Sequence, residues 1–187
     1  MHHLKLSLCA AMLAAASSSV LAANETQGTV TFNGELIAET CSIASDSVDR
    51  QVQLPTISIQ TLQTPGATAG SKGFDLNVEN CPAGITQVAA HFEAIDSTGV
   101  DSTTGNLTNQ FVADAEGPEP DLDAATNVEV RLYNSDEKPL KLGETGQAAG
   151  VDGSGKATMH YYGGYYATGK STAGLVYAQA RYTLAYP

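Results

Sequence analysis

Residues 174–187 read Gly174-Leu175-Val176-Tyr177-Ala178-Gln179-Ala180-Arg181-Tyr182-Thr183-Leu184-Ala185-Tyr186-Pro187. Val176, Ala178, Ala180, Tyr182, Leu184 and Tyr186 occupy every second position and share one face, with Tyr177, Gln179, Arg181 and Thr183 on the other. Successive side chains of an extended chain point to opposite sides, so a period of two sustained this far predicts a strand with one buried face. It is the longest alternation in the chain, and it sets the reading of the rest.

Shorter alternations precede it. Phe74, Leu76 and Val78 alternate with Asp75, Asn77 and Glu79 just before Cys81, and Val88, Ala90 and Phe92 form another strand. Val128, Val130 and Leu132 alternate with Glu129, Arg131 and Tyr133; turn residues at 134–139 and then Leu140 and Leu142 predict a hairpin. Val52, Leu54, Ile57 and Ile59 make an apolar run broken at Pro55, which suggests an edge strand or a bulge. Gly- and Thr-rich stretches at 64–71, 117–121 and 150–155 read as surface loops. No stretch keeps a 3.6-residue period with caps, and there is no internal repeat. About seven to nine short strands predict an antiparallel sandwich.

Composition agrees. Only 16% of the 187 residues are charged, 18 are glycine, and Thr, Ser and Ala are abundant, which suits sheets and turns better than charge-laced helices. Hydrophobic residues at 42% can fill the core of one domain. A formal charge of -11 argues against nucleic acid and anionic membrane surfaces as partners.

Residues 1–23 combine His2, His3 and Lys5 with an apolar run and a small-residue end at Val20-Leu21-Ala22-Ala23, the layout of a secretory signal peptide. The run from Leu6 to Ala16 is about 11 residues, short of the roughly 20 that span a bilayer. Cleavage after Ala22 or Ala23 is expected. Removing 23 of the 187 residues leaves 164, with 8 basic against 20 acidic side chains and a formal charge of -12. Cys9 leaves with the signal, and Cys41 and Cys81, alone in an oxidising compartment, read as one disulfide. Closing that loop is worth ~4 kcal/mol in the chain-entropy account.

One strand lacks a neighbour. Residues 28–38, just before Cys41, follow only the polar leader Asn24-Glu25-Thr26-Gln27, so no earlier strand can pair with them. The apolar row Val30, Phe32 and Leu36 has a hole at Gly34, where another backbone or a bulky neighbour can come close; the residues read equally well as an ordinary first strand with a bulge.

Groups for catalysis or metal binding are not assembled. His91 and His160 are distant in sequence, neither sits in a nucleophile motif, and each reads as a strand surface residue. The acidic run Glu119-Pro120-Asp121-Leu122-Asp123 has Ala124 and Val130 where a calcium loop needs Gly and Glu. Gly143-Glu144-Thr145-Gly146 lacks the Lys of a phosphate loop, and Ser135-Asp136-Glu137-Lys138 reads as a turn. Tyr161, Tyr162, Tyr165 and Tyr166 could stack on a sugar, but strand aromatics more often pack across strands. Catalytic residues, metal and cofactor are all expected to be none.

In order and spacing these pieces resemble the major pilin of type 1 fimbriae and its chaperone-usher relatives in Gram-negative bacteria, over nearly the whole mature chain. The resemblance rests on Gly28-Thr29-Val30-Thr31-Phe32-Asn33-Gly34-Glu35-Leu36 before Cys41, on Val52-Gln53-Leu54, and on Gly73-Phe74-Asp75-Leu76 leading to Cys81. It rests also on Asn127-Val128-Glu129-Val130-Arg131-Leu132, on Tyr166-Ala167-Thr168-Gly169, on Gly174 fourteenth from the end, and on the penultimate Tyr186.

The resemblance implies an immunoglobulin-like sandwich that lacks its last strand, leaving an acceptor groove beside Gly174, Val176, Ala178, Ala180, Tyr182, Leu184 and Tyr186. Residues 1–23 would be the signal, 24–38 a donor extension and 39–187 the pilin domain. Gly28, Val30, Phe32, Gly34 and Leu36 would be the inward row donated to the next subunit, with Thr29, Thr31, Asn33 and Glu35 outward. The implied partners are copies of the chain joined head to tail, a periplasmic chaperone, an outer-membrane usher and other fimbrial subunits at the tip. The implied place is a cell-surface fimbria used for adhesion, reached through the periplasm. Pro187 departs from relatives that end in a residue with a backbone N–H, although its carboxylate can still meet basic groups of a chaperone.

The main shaft subunit is the first reading. A minor adaptor or single-domain adhesin with a glycan surface at the Tyr cluster is the second; 164 residues leave no room for the added lectin domain of a tip adhesin. A secreted sandwich enzyme is the third.

Overall fold

The computed structural model describes residues 28–34, 40–112 and 123–187, and the chain divides into two units, Met1–Leu36 and Ile37–Pro187. In the first unit, residues 28–34 form no regular secondary structure, and Val30 and Phe32 are 76% and 91% exposed. Leu36, most of the acidic run from Glu119 and the expected loop at 117–121 lie outside the described residues.

The second unit is built from β1 (Ser42–Ile43), β2 (Thr68–Glu79), β3 (Gln87–Ala94), β4 (Leu107–Thr108) and β5 (Val128–Tyr133), followed by β6 (Pro139–Leu140), β7 (Ala149–Gly150), β8 (Ala157–Ala167) and β9 (Ala180–Ala185). A single 3-10 turn, Ile59–Leu62, is the one helical element among the described residues. One sheet runs β1-β2-β8-β5-β4 with β6 on β5; the other runs β7-β3-β9. All these strand pairs are antiparallel. Phe74, Leu76, Leu132, Met159 and Tyr161 from the first sheet meet Val88, Ala90 and Phe92 from the second in one buried cluster. The two sheets therefore face each other as a sandwich.

Tyr161 shows how the layers lock. Its ring stands edge-on to Phe92 with centroids 5.1 Å apart, a favoured aromatic geometry. Its hydroxyl accepts the Ala90 N–H at 3.1 Å and donates to the Gln147 carbonyl at 3.0 Å. Burial holds this phenol's pKa above its ordinary value, partly offset by the Ala90 N–H. Cys41 and Cys81 are disulfide-bonded, pinning the start of β1 to the end of β2 where Ser42 opposes Glu79.

The strands expected around 74–78, 88–92 and 128–132 are present, and Leu132 opposite Leu140 forms the expected hairpin. Three expectations are corrected. Residues 68–71 belong to β2 instead of a loop: Gly70, at φ +64°, lets the strand continue through a register shift between Ala69 and Lys72, and a Cβ there would come 2.8 Å from the Tyr165 ring. The run at 52–59 makes no ladder. Val52, Leu54, Ile57 and Ile59 are half-buried while Gln53 and Ser58 are exposed, so the alternation is real, but Pro55 has no N–H to pair. The terminal strand is regular only over β9, because residues 175–177 bond to segments other than β3.

Candidate functional site

β9 has one neighbour, β3, which places it at the edge of its sheet. Which backbone groups it leaves free follows from β3. There the even residues are used on the far side: Gly146 N–H donates to Ala90 O at 2.8 Å, Gly143 N–H to Phe92 O at 2.7 Å, and Phe92 N–H to Glu144 O at 3.2 Å. The odd residues therefore face β9, with Ala89, His91 and Glu93 opposite Ala185, Thr183 and Arg181. Adjacent residues of a strand turn their polar groups to opposite edges. Ala180, Tyr182 and Leu184 consequently present N–H and C=O to the outer edge, where no strand pairs among the described residues.

The same parity holds upstream. Leu175 donates its N–H to Asp123 O and accepts from Ala125 N–H, each at 2.9 Å, and Tyr177 accepts from Gln110 N–H at 2.7 Å. These bonds tie residues 175–177 to the segments at 110 and 123–125 instead of to β3, which is why the regular strand starts only at Ala180. Among the described residues Val176 and Ala178 make no backbone hydrogen bond. Gly174 sits at φ +152°, and a Cβ there would lie 2.5 Å from Ala125 N and Asp123 O, so this close approach requires glycine.

Beneath the open edge lies the apolar row. Val176, Ala178, Ala180, Tyr182, Leu184 and Tyr186 are all half-buried, against exposed Tyr177, Gln179, Arg181 and Thr183. Val176 packs on a small cluster around Leu62, Val128 and Ala167, and the other five on the main core. The sequence-predicted acceptor residues are thus brought together on one edge. Tyr182 and Tyr186 also reach toward the first strand: Tyr182 Oη donates to Ser47 O at 2.7 Å, and Cys41 N–H donates to Tyr186 Oη at 3.1 Å. Burial and then the Asp46 charge raise the Tyr182 pKa, so the phenol keeps the proton it donates.

Other candidates fall apart or serve the fold. Tyr161 is buried and Tyr165 packs on the small cluster, whereas on the alternate positions Tyr162 stands edge-on to His160 and Tyr166 lies 3.7 Å beneath the Arg131 guanidinium. The four rings divide between the two faces of β8. His91 and His160 are strand residues, bonded to Thr145 and Asp75.

Two features escaped the sequence reading. Glu129, on the polar side of its alternation, is only 5% exposed, because Thr104 Oγ1 and Asn106 Nδ2 donate to its carboxylate at 2.8 and 2.9 Å. Asn109 holds the upstream half of the terminal segment. No sequence pattern marks either, since both depend on what a distant loop covers.

The architecture is a two-sheet sandwich whose terminal strand has one strand neighbour among the described residues. The rod subunit PapA of the P pilus superposes with a TM-score of 0.58 at 19% identity, over 80% of this chain and 100% of that one. A subunit in the structure of a chaperone-usher pilus gives 0.56 at 21%, over 87% and 97%. The fold is the incomplete immunoglobulin-like sandwich of such subunits. The family model described as fimbrial protein matches residues 30–187. Among relatives, the F17 fimbrial protein of Escherichia coli is 38% identical over 97% of this chain and 98% of its own. The major fimbrial subunit SMF-1 of Stenotrophomonas maltophilia is 41% identical over 94% and 99%. The chain belongs to the fimbrial protein family and is a structural subunit of a fimbria.

Proposed function

We propose that this chain is the main shaft subunit and polymerises head to tail by donor-strand exchange, the row Gly28, Val30, Phe32, Gly34 and Leu36 of one copy completing the edge beside β9 of the next. The observations that carry this reading are a strand edge, over a half-buried apolar row, with no strand partner among the described residues, and a separate segment whose Val30 and Phe32 are exposed at strand spacing. Strand addition to a free sheet edge is a known recognition mode, and pilin complementation is one of its established cases.

Magnitudes support it. Burying Val30, Phe32 and Leu36 contributes ~1.5–3 kcal/mol each, before ladder hydrogen bonds at ~0.5–1.5 kcal/mol. The sum is comparable to the ~5–15 kcal/mol net stability of a whole domain. A subunit without its donor is then marginal and its edge a template for misassembly, which gives a periplasmic chaperone and an outer-membrane usher their roles. Residues 1–23 act as the signal for export to the periplasm. Head-to-tail donation does not close, so the product is an open filament at the cell surface that carries tip subunits and serves adhesion.

The shaft role is supported by the name of SMF-1 as a major subunit. The alternative of a minor adaptor or adhesin with a glycan platform draws less support, since its four tyrosines divide between two faces of β8. The family is structural, and no catalytic role, metal or cofactor is proposed. Electron microscopy of the mature chain expressed with its chaperone and usher tests the reading: filaments of this subunit alone are expected, and their loss in Phe32→Glu. Filaments unchanged by Phe32→Glu would overturn it.

A further inference from the structure

Asn109 follows β4 directly, yet its side chain reaches the terminal segment. Nδ2 donates to Ala125 O at 2.8 Å and to Leu175 O at 2.9 Å; Oδ1 accepts from Phe111 N–H at 3.0 Å and from Tyr177 N–H at 2.9 Å. A carboxamide has two donor hydrogens and two acceptor lone pairs, so its full capacity is used, and its orientation is fixed because two carbonyls face the nitrogen and two N–H groups face the oxygen. Three pieces of chain, at 111, 125 and 175–177, are held by one side chain.

The grip falls at an informative place. Downstream, β9 is kept in line by its ladder with β3 over Ala94↔Ala180 to Ala89↔Ala185. Upstream, residues 175–178 have no such ladder, and Asn109 with the Ala124↔Leu175 bridge stands in for one. By binding the odd residues Leu175 and Tyr177 on their inner side, Asn109 turns the polar groups of Val176 and Ala178 outward, in phase with those of Ala180, Tyr182 and Leu184.

We propose that Asn109 is a positioning residue for strand acceptance: it extends the open edge upstream of β9, so that a donor strand meets one ladder running from Val176 to Leu184. This rests on the donor-strand reading and deepens it, since the length of ladder on offer sets how firmly the donor is held. Asn109 touches no donor residue itself. It acts through the backbone of the acceptor.

The test uses the mature full-length chain complemented with a synthetic peptide of residues 24–38, as wild type, Asn109→Ala and Asn109→Asp. Aspartate keeps the shape and both acceptor bonds but sets a carboxylate oxygen against the Ala125 and Leu175 carbonyls in place of the two donor bonds. Amide hydrogen exchange at Leu175, Tyr177, Arg181 and Thr183 and the peptide's dissociation rate are the readouts. The expected result is about tenfold faster peptide dissociation in Asn109→Ala, equivalent to ~1.4 kcal/mol, an acceleration at least as large in Asn109→Asp, where oxygen meets the two carbonyls, and lost protection at Leu175 and Tyr177 with Arg181 and Thr183 unchanged. Equal loss of protection at all four amides would mean a merely structural role and overturn the proposal, as would unchanged dissociation. Failure of the wild type to bind the peptide would instead count against the donor-strand reading, while the exchange pattern still reports on Asn109.

Discussion

The Tyr182 hydroxyl donates to the Ser47 carbonyl at 2.7 Å, joining the inward face of the terminal strand to the turn after β1. Ser47 is 0% exposed, and its hydroxyl in turn accepts the Asn77 N–H of β2 at 2.8 Å and donates to Asp46 Oδ1 at 2.9 Å. The edge strand that carries the half-buried apolar row is therefore anchored across the sandwich as well as along its ladder. In Tyr182→Phe the ring remains and the buried carbonyl loses its donor, an expected cost of ~1–3 kcal/mol. At ~2–4 °C per kcal/mol for a chain of this size, thermal melting of the donor-complemented subunit should fall by several degrees. An unchanged melting temperature would show that the contact contributes nothing.

Gly174 is expected to tolerate no side chain. A Cβ would stand 2.5 Å from Ala125 N and Asp123 O, on a residue at φ +152°. Gly174→Ala must open the Ala124↔Leu175 bridge, and strain of this kind costs ~1–3 kcal/mol before the clash is counted. Urea denaturation of the complemented subunit should show a lowered midpoint. The opposite control is Gly143→Ala, at φ +88° with open space around it, where only the backbone strain applies.

How much of this was legible in the sequence depends on what each residue's environment is made of. Phe74, Leu76 and Val78 face the core by simple alternation, and so do Val88, Ala90 and Phe92; the period of two is local and survives folding. The apolar row from Val176 to Tyr186 was legible for the same reason. The ladder was not: pairing depends on the partner, and residues 175–177 bond to segments near 110 and 125 instead of to β3. Glu129 reads as a surface residue until the loop carrying Thr104 and Asn106 covers it. Gly70 reads as a loop glycine, and its role in continuing β2 appears only with Tyr165 above it.

Acid should destabilise the subunit through its turns. Asp96, Asp101 and Asp152 have pKa values held below the ordinary 3.8, Asp96 chiefly by the Thr98 hydroxyl, Asp101 by the Thr104 and Thr103 N–H groups, and Asp152 chiefly by the Ser154 hydroxyl with the Lys156 N–H. A carboxylate whose folded pKa is depressed adds stability that is complete above 3.8 and is lost as pH falls through its folded value. Stability of the complemented subunit should accordingly be level from neutrality to about pH 5 and decline below pH 4. In Asp101→Asn the decline should be shallower, measured as urea midpoint against pH. A midpoint that rises below pH 4 would reverse the sign of the argument.

On the donor-strand reading the edge beside β9 is completed by residues 28–36 of another copy. The most direct measurement is the thermal unfolding of the chain starting at residue 39, oxidised at Cys41–Cys81, with and without a peptide of residues 24–38. A broad, low-temperature transition is expected for the truncated chain alone, a cooperative transition at markedly higher temperature in a one-to-one complex with the peptide, and no such shift with a peptide carrying Phe32→Glu. A truncated chain that unfolds cooperatively at the same temperature with or without the peptide would contradict it.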